Sequence, residues 1–414
     1  MKLLHFADLH LGIENYGALN PRTGLSTRVD DFLAALERII DAALAERVDA
    51  VLFAGDAFKN RDPNPTLQRA FAERIRRLAA AEIPTVLLIG NHDLPNITAR
   101  ATAIDIYEAL AIPNIFVARN LGRLDIPTRS GPLQVVALPW VARNQFFSRD
   151  ELRELDADEQ RRRLAAAIAQ GVRAKAEELD PEISAVLLAH VSVEGARLGS
   201  EQSIMLGHEL VLSREELSAD RFDYVALGHI HQHQVISTHP PIVYAGSPER
   251  IDFSEEREDK GYILVEIDRT ASPGQPKMSF QPLPARAFQT LKLTAKTEDP
   301  MGEIERLIER RAADIEGAVV RLSVAVPADR EELVRVDEVR RLLNAAGAAW
   351  IARVVRDVEL QHRPRVDIRD EEALIPETML ARWLETRQLP DEQRGKVRDL
   401  GVGLIRTLRE RENA

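Results

Sequence analysis

The chain has 414 residues, 45% hydrophobic and 29% charged, a length that points to two or three domains rather than one core. It contains no cysteine, which excludes disulfides, thiolate metal sites and cysteine nucleophiles and suits a reducing compartment. A net charge of −11 argues against a free-standing nucleic-acid binder, but not against an enzyme on nucleic acid whose bound cations bring positive charge to the site.

The N-terminus, Met1 to Phe6, reaches Asp8 too soon for a secretory signal, and no apolar run approaches the roughly 20 residues of a membrane helix, so a cytoplasmic protein without membrane contact is expected. Apolar runs at Leu3–Ala7, Ala50–Ala54, Thr85–Ile89, Leu133–Leu138, Ala185–Ala189, Tyr224–Leu227, Ile242–Ala245 and Tyr262–Ile267 are short and rich in Val, Ile and Leu. Bounded by Gly, Pro, Asp or Asn, they read as buried strands. Helices are predicted near 27–47, 66–82 and 150–179, and the strand–helix alternation predicts an α/β layered fold. The arginine stretches Arg74–Arg77 and Arg161–Arg163 read first as solvated helix faces, and second as part of a basic surface for nucleic acid.

Thr270–Pro276 is turn-rich and marks a tight connection or a domain edge. Beyond it, Thr290–Leu293, Met301–Ala312, Ala318–Val326, Val336–Ala346 and Trp350–Val358 read as strand, helix, strand, helix, strand, enough for a small α/β domain. After Pro364 comes an acidic, helix-rich tail in which Pro390 separates two helices. Met379, Leu380, Trp383 and Leu384 share one helical face, and Val397, Leu400, Leu404 and Leu408 form a second stripe. Some fifty residues rarely bury such stripes alone, so they dock either on this chain's own domains or on another protein.

Five short motifs follow the carboxyl ends of five predicted strands, where open α/β sheets gather ligands. They are Asp8-Leu9-His10, Gly55-Asp56, Gly90-Asn91-His92-Asp93, His190 and Gly228-His229-Ile230-His231. Each alone has an ordinary reading: a cap, a turn, a satisfied core histidine. Together they supply seven oxygen and imidazole ligands plus one further histidine, enough for two adjacent divalent metals with positions open for water and phosphate. Asp8 and His10 are two residues apart, so on an extended segment both reach one ion, and His229 and His231 repeat that spacing. Asp56 is suited to bridge, Asn91 offers a neutral oxygen, and His92 is placed to donate a proton. Imidazole and oxygen without sulfur favour manganese, iron or zinc over calcium. His5, His208, His233, His239 and His362 match no motif; His233 continues the 229/231 alternation and is the candidate for supporting the site.

In this order the motifs resemble the calcineurin-like metallophosphoesterases, and more closely the DNA nucleases among them. The closer likeness rests on Leu4-His5-Phe6-Ala7-Asp8-Leu9-His10-Leu11-Gly12, Gly55-Asp56-Ala57-Phe58, Leu188-Ala189-His190 and Tyr224 to His231, with Tyr244 to Arg250 and Lys260-Gly261-Tyr262. The resemblance implies a layered core of sheets flanked by helices over 1–270, a small α/β capping domain over 286–362 and a helical partner-binding tail over 366–414. It implies Asp8, His10, Asp56 and His231 on one metal and Asp56, Asn91, His190 and His229 on the other, both manganese. His92 would act on the transition state, with Asp93 orienting it. Some relatives carry a histidine where this chain has Lys59.

The activity implied is cleavage of DNA ends and hairpins, as a 3'-to-5' exonuclease on duplexes and an endonuclease on single strands. The implied partner is an SbcC-type ATPase, bound through the C-terminal helices, with two nuclease chains pairing inside a heterotetramer. Two other readings compete: a phosphodiesterase on nucleotides or small phosphoesters, and a non-catalytic scaffold of the same fold.

Overall fold

A computed structural model describes residues 1–95, 100–142, 146, 155–197, 199, 210–269, 276–359, 375–385 and 391–412. The chain runs through β1 (Lys2–Phe6), α1 (Thr27–Ala45), β2 (Ala50–Phe53), α2 (Pro65–Ala80), β3 (Thr85–Leu88), α3 (Asp105–Ala109) and β4 (Ile115–Ala118). It continues through β5 (Gly122–Thr128), β6 (Gly131–Leu138), α4 (Ala157–Glu177), β7 (Ser184–His190), the two-residue strands β8 (Ser192–Val193) and β9 (Val211–Leu212), and β10 (Tyr224–Gly228). β11 (Gln234–Thr238), β12 (Pro241–Tyr244), β13 (Gly261–Glu266) and β14 (Lys277–Pro282) follow. The long helices begin where a side chain satisfies their first free amides. Ser26 accepts from the amide of Arg28, Asn64 from Leu67 with Pro65 in the first turn, and Asp156 from Glu159.

The strands form two six-stranded sheets, ordered β14-β13-β1-β2-β3-β4 and β11-β12-β10-β7-β6-β5. β1 through β4 are mutually parallel, as are β6, β7, β10 and β12. Their carboxyl ends therefore gather along one edge of each sheet.

Side-chain alternation builds the layers. Leu4 and Phe6 of β1 face α1 and α2, in a cluster with Phe32, Leu36, Phe71 and Ile75. Leu3 and Ala7 face the other way, into a cluster that includes Leu52 and Val86 of the first sheet and Val135, Leu188, Tyr224 and Val243 of the second. The outer face of the second sheet, through Val136, Leu187 and Val225, packs on Leu164, Ile168 and Val172 of α4. The result is four layers, helix, sheet, sheet, helix, within the α/β class the patterning predicts.

The sheets contain more strands than patterning revealed. β5 carries Pro127 and alternating polar residues at a sheet edge, and the edge strand β14 is exposed or half-buried along its length. Such strands lack the unbroken apolar run of a buried one. α3, five residues long, is too short to show a period. The helix expected near 150–179 begins at Ala157; residues 150–154 and the turn-rich 270–275 lie outside the described residues, as do His208, His362, Pro364 and Pro390.

Further on come β15 (Phe288–Thr294), α5 (Pro300–Arg310), α6 (Ala312–Ile315), β16 (Val319–Pro327), α7 (Val336–Ala345) and β17 (Trp350–Glu359), the three strands forming a sheet in that order. Helices α8 (Pro376–Glu385) and α9 (Asp391–Glu412) close the chain. The backbone divides into two compact units, one of Met1–Leu291, Ile308–Arg321 and Arg341–Arg353, the other of Lys292–Leu307, Leu322–Arg340 and Val354–Ala414.

In the second unit α8 and α9 pack together, Gly401 lying so close to Leu380 that a β-carbon there would sit 2.4 Å from its side chain. Leu400, Leu404 and Leu408 of α9 stay exposed. Among the described residues no helix is long and apolar enough to cross a membrane.

The two sheets come close together at the end of β10. A β-carbon on Gly228 would lie 2.1 Å from the carbonyl oxygen of Ala54 and 3.0 Å from the side chain of Ala7. Gly228→Ala is expected to destabilise the protein by about 1–3 kcal/mol or more, as overpacking does. Thermal unfolding measures it, with Gly403→Ala, which lies in a helix and meets nothing within 4 Å, as the comparison that should lose no stability.

Candidate metal centre

All nine residues singled out from the sequence lie just past, or at the end of, parallel strands. Asp8 and His10 follow β1, Asp56 follows β2, Asn91 to Asp93 follow β3, His190 ends β7, and His229 and His231 follow β10. Asp8, His10, Asp56, His190 and His229 are buried, whereas Asn91, His92 and His231 are half-buried. The group therefore has a closed floor and one open side.

The local backbone differs from the extended geometry expected for Asp8-Leu9-His10. Asp8 has φ 53° and His10 φ 45°, and Asp56 (61°) and His229 (97°) also lie at positive φ. The two side chains converge because the chain turns through the left-handed region after the strand, a conformation that is costly for non-glycine residues. Hydrogen bonds hold it in place: the amide of Asp8 donates to the Gly55 carbonyl and that of His10 to the Asp56 carbonyl, each at 3.0 Å. The amide of His229 donates to the Asp8 carboxylate at 2.9 Å, joining the ends of β1 and β10.

Ligand-type atoms converge in three overlapping groups. Asp8, His10 and His231 have donor atoms mutually within 4.8 Å, and so do His10, Asp56 and His92, and Asp8, Asp56 and His190. His10 Nε2 and His231 Nε2 face each other at 3.0 Å, and Asp56 Oδ2 lies 3.6 Å from His10 Nε2 and 3.4 Å from His190 Nε2. Asn91 Oδ1 lies 2.9 Å from His190 Nε2 and 3.1 Å from His229 Nδ1. Two imidazole nitrogens aimed at one point beside carboxylates are the arrangement a cation completes, and the sulfur-free set fits divalent metals. Asp56 belongs to two of the groups, beside His10 in one and His190 in the other, and is positioned to serve both.

The electrostatics fit the same reading. Burial pushes the Asp56 carboxyl up, but the imidazoles of His190, His10 and His92 outweigh it and hold the group well below the usual carboxylate range. Burial lowers His190, but the charges of Asp56 and then Asp8 carry it up to about 9. Burial holds His10 well below its ordinary value, so that ring is neutral. Asp8 is raised, chiefly by burial.

His92 and Asp93 have separate surroundings. His92 Nδ1 donates to the backbone carbonyl of Lys59 at 2.9 Å, and its amide donates to Asp56 Oδ1 at 2.8 Å. Asp93 instead accepts backbone amides from Asp56 (2.9 Å), Ala57 (3.0 Å), Phe58 (3.3 Å) and Gly90 (3.1 Å), tying the loop after β2 to the loop after β3. Burial, then the charge of Asp56, raises its carboxyl to about 6. His92 thus takes its ring orientation from Lys59, and Asp93 shapes the loops.

Three contributors escaped the sequence reading. Glu255 Oε1 accepts from His231 Nδ1 at 3.0 Å, the Lys59 carbonyl acts through the main chain, and the Trp140 ring packs 4.9 Å from that of His229. Glu255 sits among several acidic neighbours in Ser254-Glu255-Glu256-Arg257-Glu258, with nothing to single it out. His233 stacks on Phe280 at 4.3 Å and donates to the Tyr244 carbonyl, apart from the ligand groups. The arginine stretches are engaged nearby: Arg74 and Arg77 pair with Glu37, and Arg161, Arg162 and Arg163 with Asp158 and Glu159 of their own helix.

The sequence profile of the calcineurin-like phosphoesterases matches residues 1–233. The chain is 30% identical over 378 residues to SbcD, the nuclease component of SbcCD, from Rhodobacter capsulatus, covering 84% of each protein. It is 28% identical over 280 residues to the SbcD of Bacillus subtilis, covering 66% of this chain and 67% of that one. With the DNA double-strand break repair protein Mre11 of Haloferax volcanii it shares 30% over 325 residues, 77% of this chain and 60% of the relative. The chain belongs to the calcineurin-like phosphoesterase family and, within it, falls with the SbcD-type nucleases. It is a metal-dependent hydrolase.

With His190 raised to about 9, a metal bound there would have to displace its proton at neutral pH. Metal affinity should therefore rise from pH 6 towards pH 9, with proton release on binding. Calorimetry in buffers of different ionisation enthalpy measures this; a pH-independent affinity without proton release would contradict it.

Proposed function

We propose that this chain is a two-metal, manganese-type DNA nuclease. The convergence of Asp8, His10 and His190 around Asp56, with His231 beside His10, Asn91 beside His190 and His229, and His92 on the open side, carries the reading. Asp8, His10, Asp56 and His231 hold one ion, and Asp56, Asn91, His190 and His229 hold the other. When bound, two divalent ions neutralise the phosphoryl oxygens and lower the pKa of an attacking water. His92, held at Nδ1 by the Lys59 carbonyl, turns Nε2 towards the phosphate; in its imidazolium form it gives the Nε2 proton to the leaving oxygen and is left as the neutral Nδ1–H ring. The buried floor of Asp8, Asp56 and His190 keeps bulk water from the inner side, so the phosphodiester approaches from the side of Asn91, His92 and His231.

The likeness to SbcD along most of the chain, together with elements beyond the phosphoesterase core that a small-molecule esterase does not need, supports DNA as the substrate. It supports exonucleolytic cleavage of duplex ends, 3'-to-5', and endonucleolytic cleavage at single strands or hairpins. In this reading residues 1–270 are the nuclease domain, 286–362 cap it, and 366–414 bind an SbcC-type ATPase, two nuclease chains sharing one heterotetramer. The exposed Leu400, Leu404 and Leu408 form an apolar stripe that such a partner would cover.

Hairpin and blunt-ended DNA assayed beside a chromogenic phosphodiester with manganese separates this function from small-ester hydrolysis. Cleaved DNA is expected; rapid diester turnover over inert DNA would overturn the nuclease reading. His92→Ala should keep metal and DNA binding while lowering single-turnover cleavage by about 10²–10⁴-fold. Deleting the residues after 366 should leave manganese-dependent cleavage of simple DNA and abolish co-purification with the ATPase.

A further inference from the structure

Each histidine of the centre needs its ring held so that the correct nitrogen faces inward, and the holding partners differ. His190 Nδ1 donates to the Ala54 carbonyl at 2.6 Å and His92 Nδ1 to the Lys59 carbonyl at 2.9 Å, both neutral main-chain acceptors. His231 Nδ1 instead meets a carboxylate, Glu255 Oε1, at 3.0 Å, while its Nε2 faces His10 Nε2.

Glu255 is itself fixed. It ends the short 3-10 turn Phe253–Glu255 and is completely buried. Its second oxygen lies 2.8 Å from Lys260 Nζ and accepts the amide of Ile251 at 3.0 Å, and its main-chain carbonyl accepts from Arg250 Nε at 3.2 Å. Lys260, 1% exposed, also donates to the main-chain carbonyl of His231 (3.1 Å), Ser247 Oγ (2.9 Å) and Glu258 (2.8 Å). One ammonium thus grips both the carboxylate that holds the imidazole and the main chain that carries it. A buried lysine and glutamate are costly to desolvate and gain little stability over apolar packing, so stability alone is a weak reason for the pair.

We propose that Glu255 is a positioning residue for the metal centre, fixing His231 as the Nδ1–H tautomer with Nε2 presented to the ion shared with Asp8 and His10. A carboxylate behind a metal-binding imidazole orients the ring and raises its basicity, and losing such a partner typically weakens metal affinity about 10–100-fold. Lys260 keeps the carboxylate ionised and stationary. The proposal rests on the two-metal reading of the site and goes beyond it by making the two ions unequal in how their ligands are supported.

The whole 414-residue chain serves for the test, with manganese as the probe. Calorimetric titration of the wild type should give two bound ions, and a chain that bound none would overturn the two-metal reading together with this inference. In Glu255→Gln one of the two sites should weaken about 10–100-fold while the other keeps its affinity. Glu258→Gln, which removes a carboxylate from Lys260 without touching His231, should alter neither. Two unchanged sites in Glu255→Gln, or equal weakening of both, would overturn the role of Glu255 while leaving the two-metal reading intact.

A second measurement needs no variant of Glu255 to fold. Long-range proton–nitrogen spectra of metal-free, histidine-labelled wild-type protein, with His231 assigned by loss of its signals in His231→Gln, should show the Nδ1–H tautomer. A dominant Nε2–H tautomer would overturn the proposal.

Discussion

Burying a carboxylate is costly unless fixed partners compensate, and Asp56, 1% exposed, is compensated on every side. One oxygen accepts the amide of His92, while the other lies within 3.6 Å of His10 and His190. His190 is bonded in turn to the carbonyl of Ala54, just ahead of the Gly55-Asp56 turn, so strands of both sheets meet around one negative charge. The floor of the centre and the alignment of the sheets depend on the same few bonds. A change at that edge is consequently felt both as chemistry and as packing.

Main-chain atoms do as much of the arranging as side chains. Asp93 gathers four amides from two loops, Asp8 accepts the amide of His229, and Gly228 lets β10 come close to Ala54. Four of the candidate ligand residues adopt left-handed backbone that their side chains disfavour. This tension is retained where many hydrogen bonds over-determine the conformation, and it gives the donor atoms their direction before any ion arrives.

What could be read from the sequence follows from how each feature is encoded. The central strands were readable because both their faces are buried, leaving unbroken apolar runs, whereas edge strands such as β5 and β14 mix polar residues and proline into theirs. The candidate ligands were readable because polar residues directly after an apolar strand have no packing reason to be there. The support around them was not. Glu255 resembles its acidic neighbours, Trp140 resembles any aromatic after a strand, and the grip of Lys59 on His92 involves no side chain at all. Spacing also misled at Asp8 and His10, where two residues apart signified a left-handed turn and not an extended strand.

The Lys59 carbonyl has an evolutionary implication. An orienting contact made by a peptide oxygen survives replacement of the side chain attached to it, as long as the local backbone persists. Position 59 therefore stands beside His92 while remaining largely free of the constraint that governs it. Residue exchanges there can be tried without removing the contact that orients the ring of His92, which makes it a place where chains with the same centre can diverge.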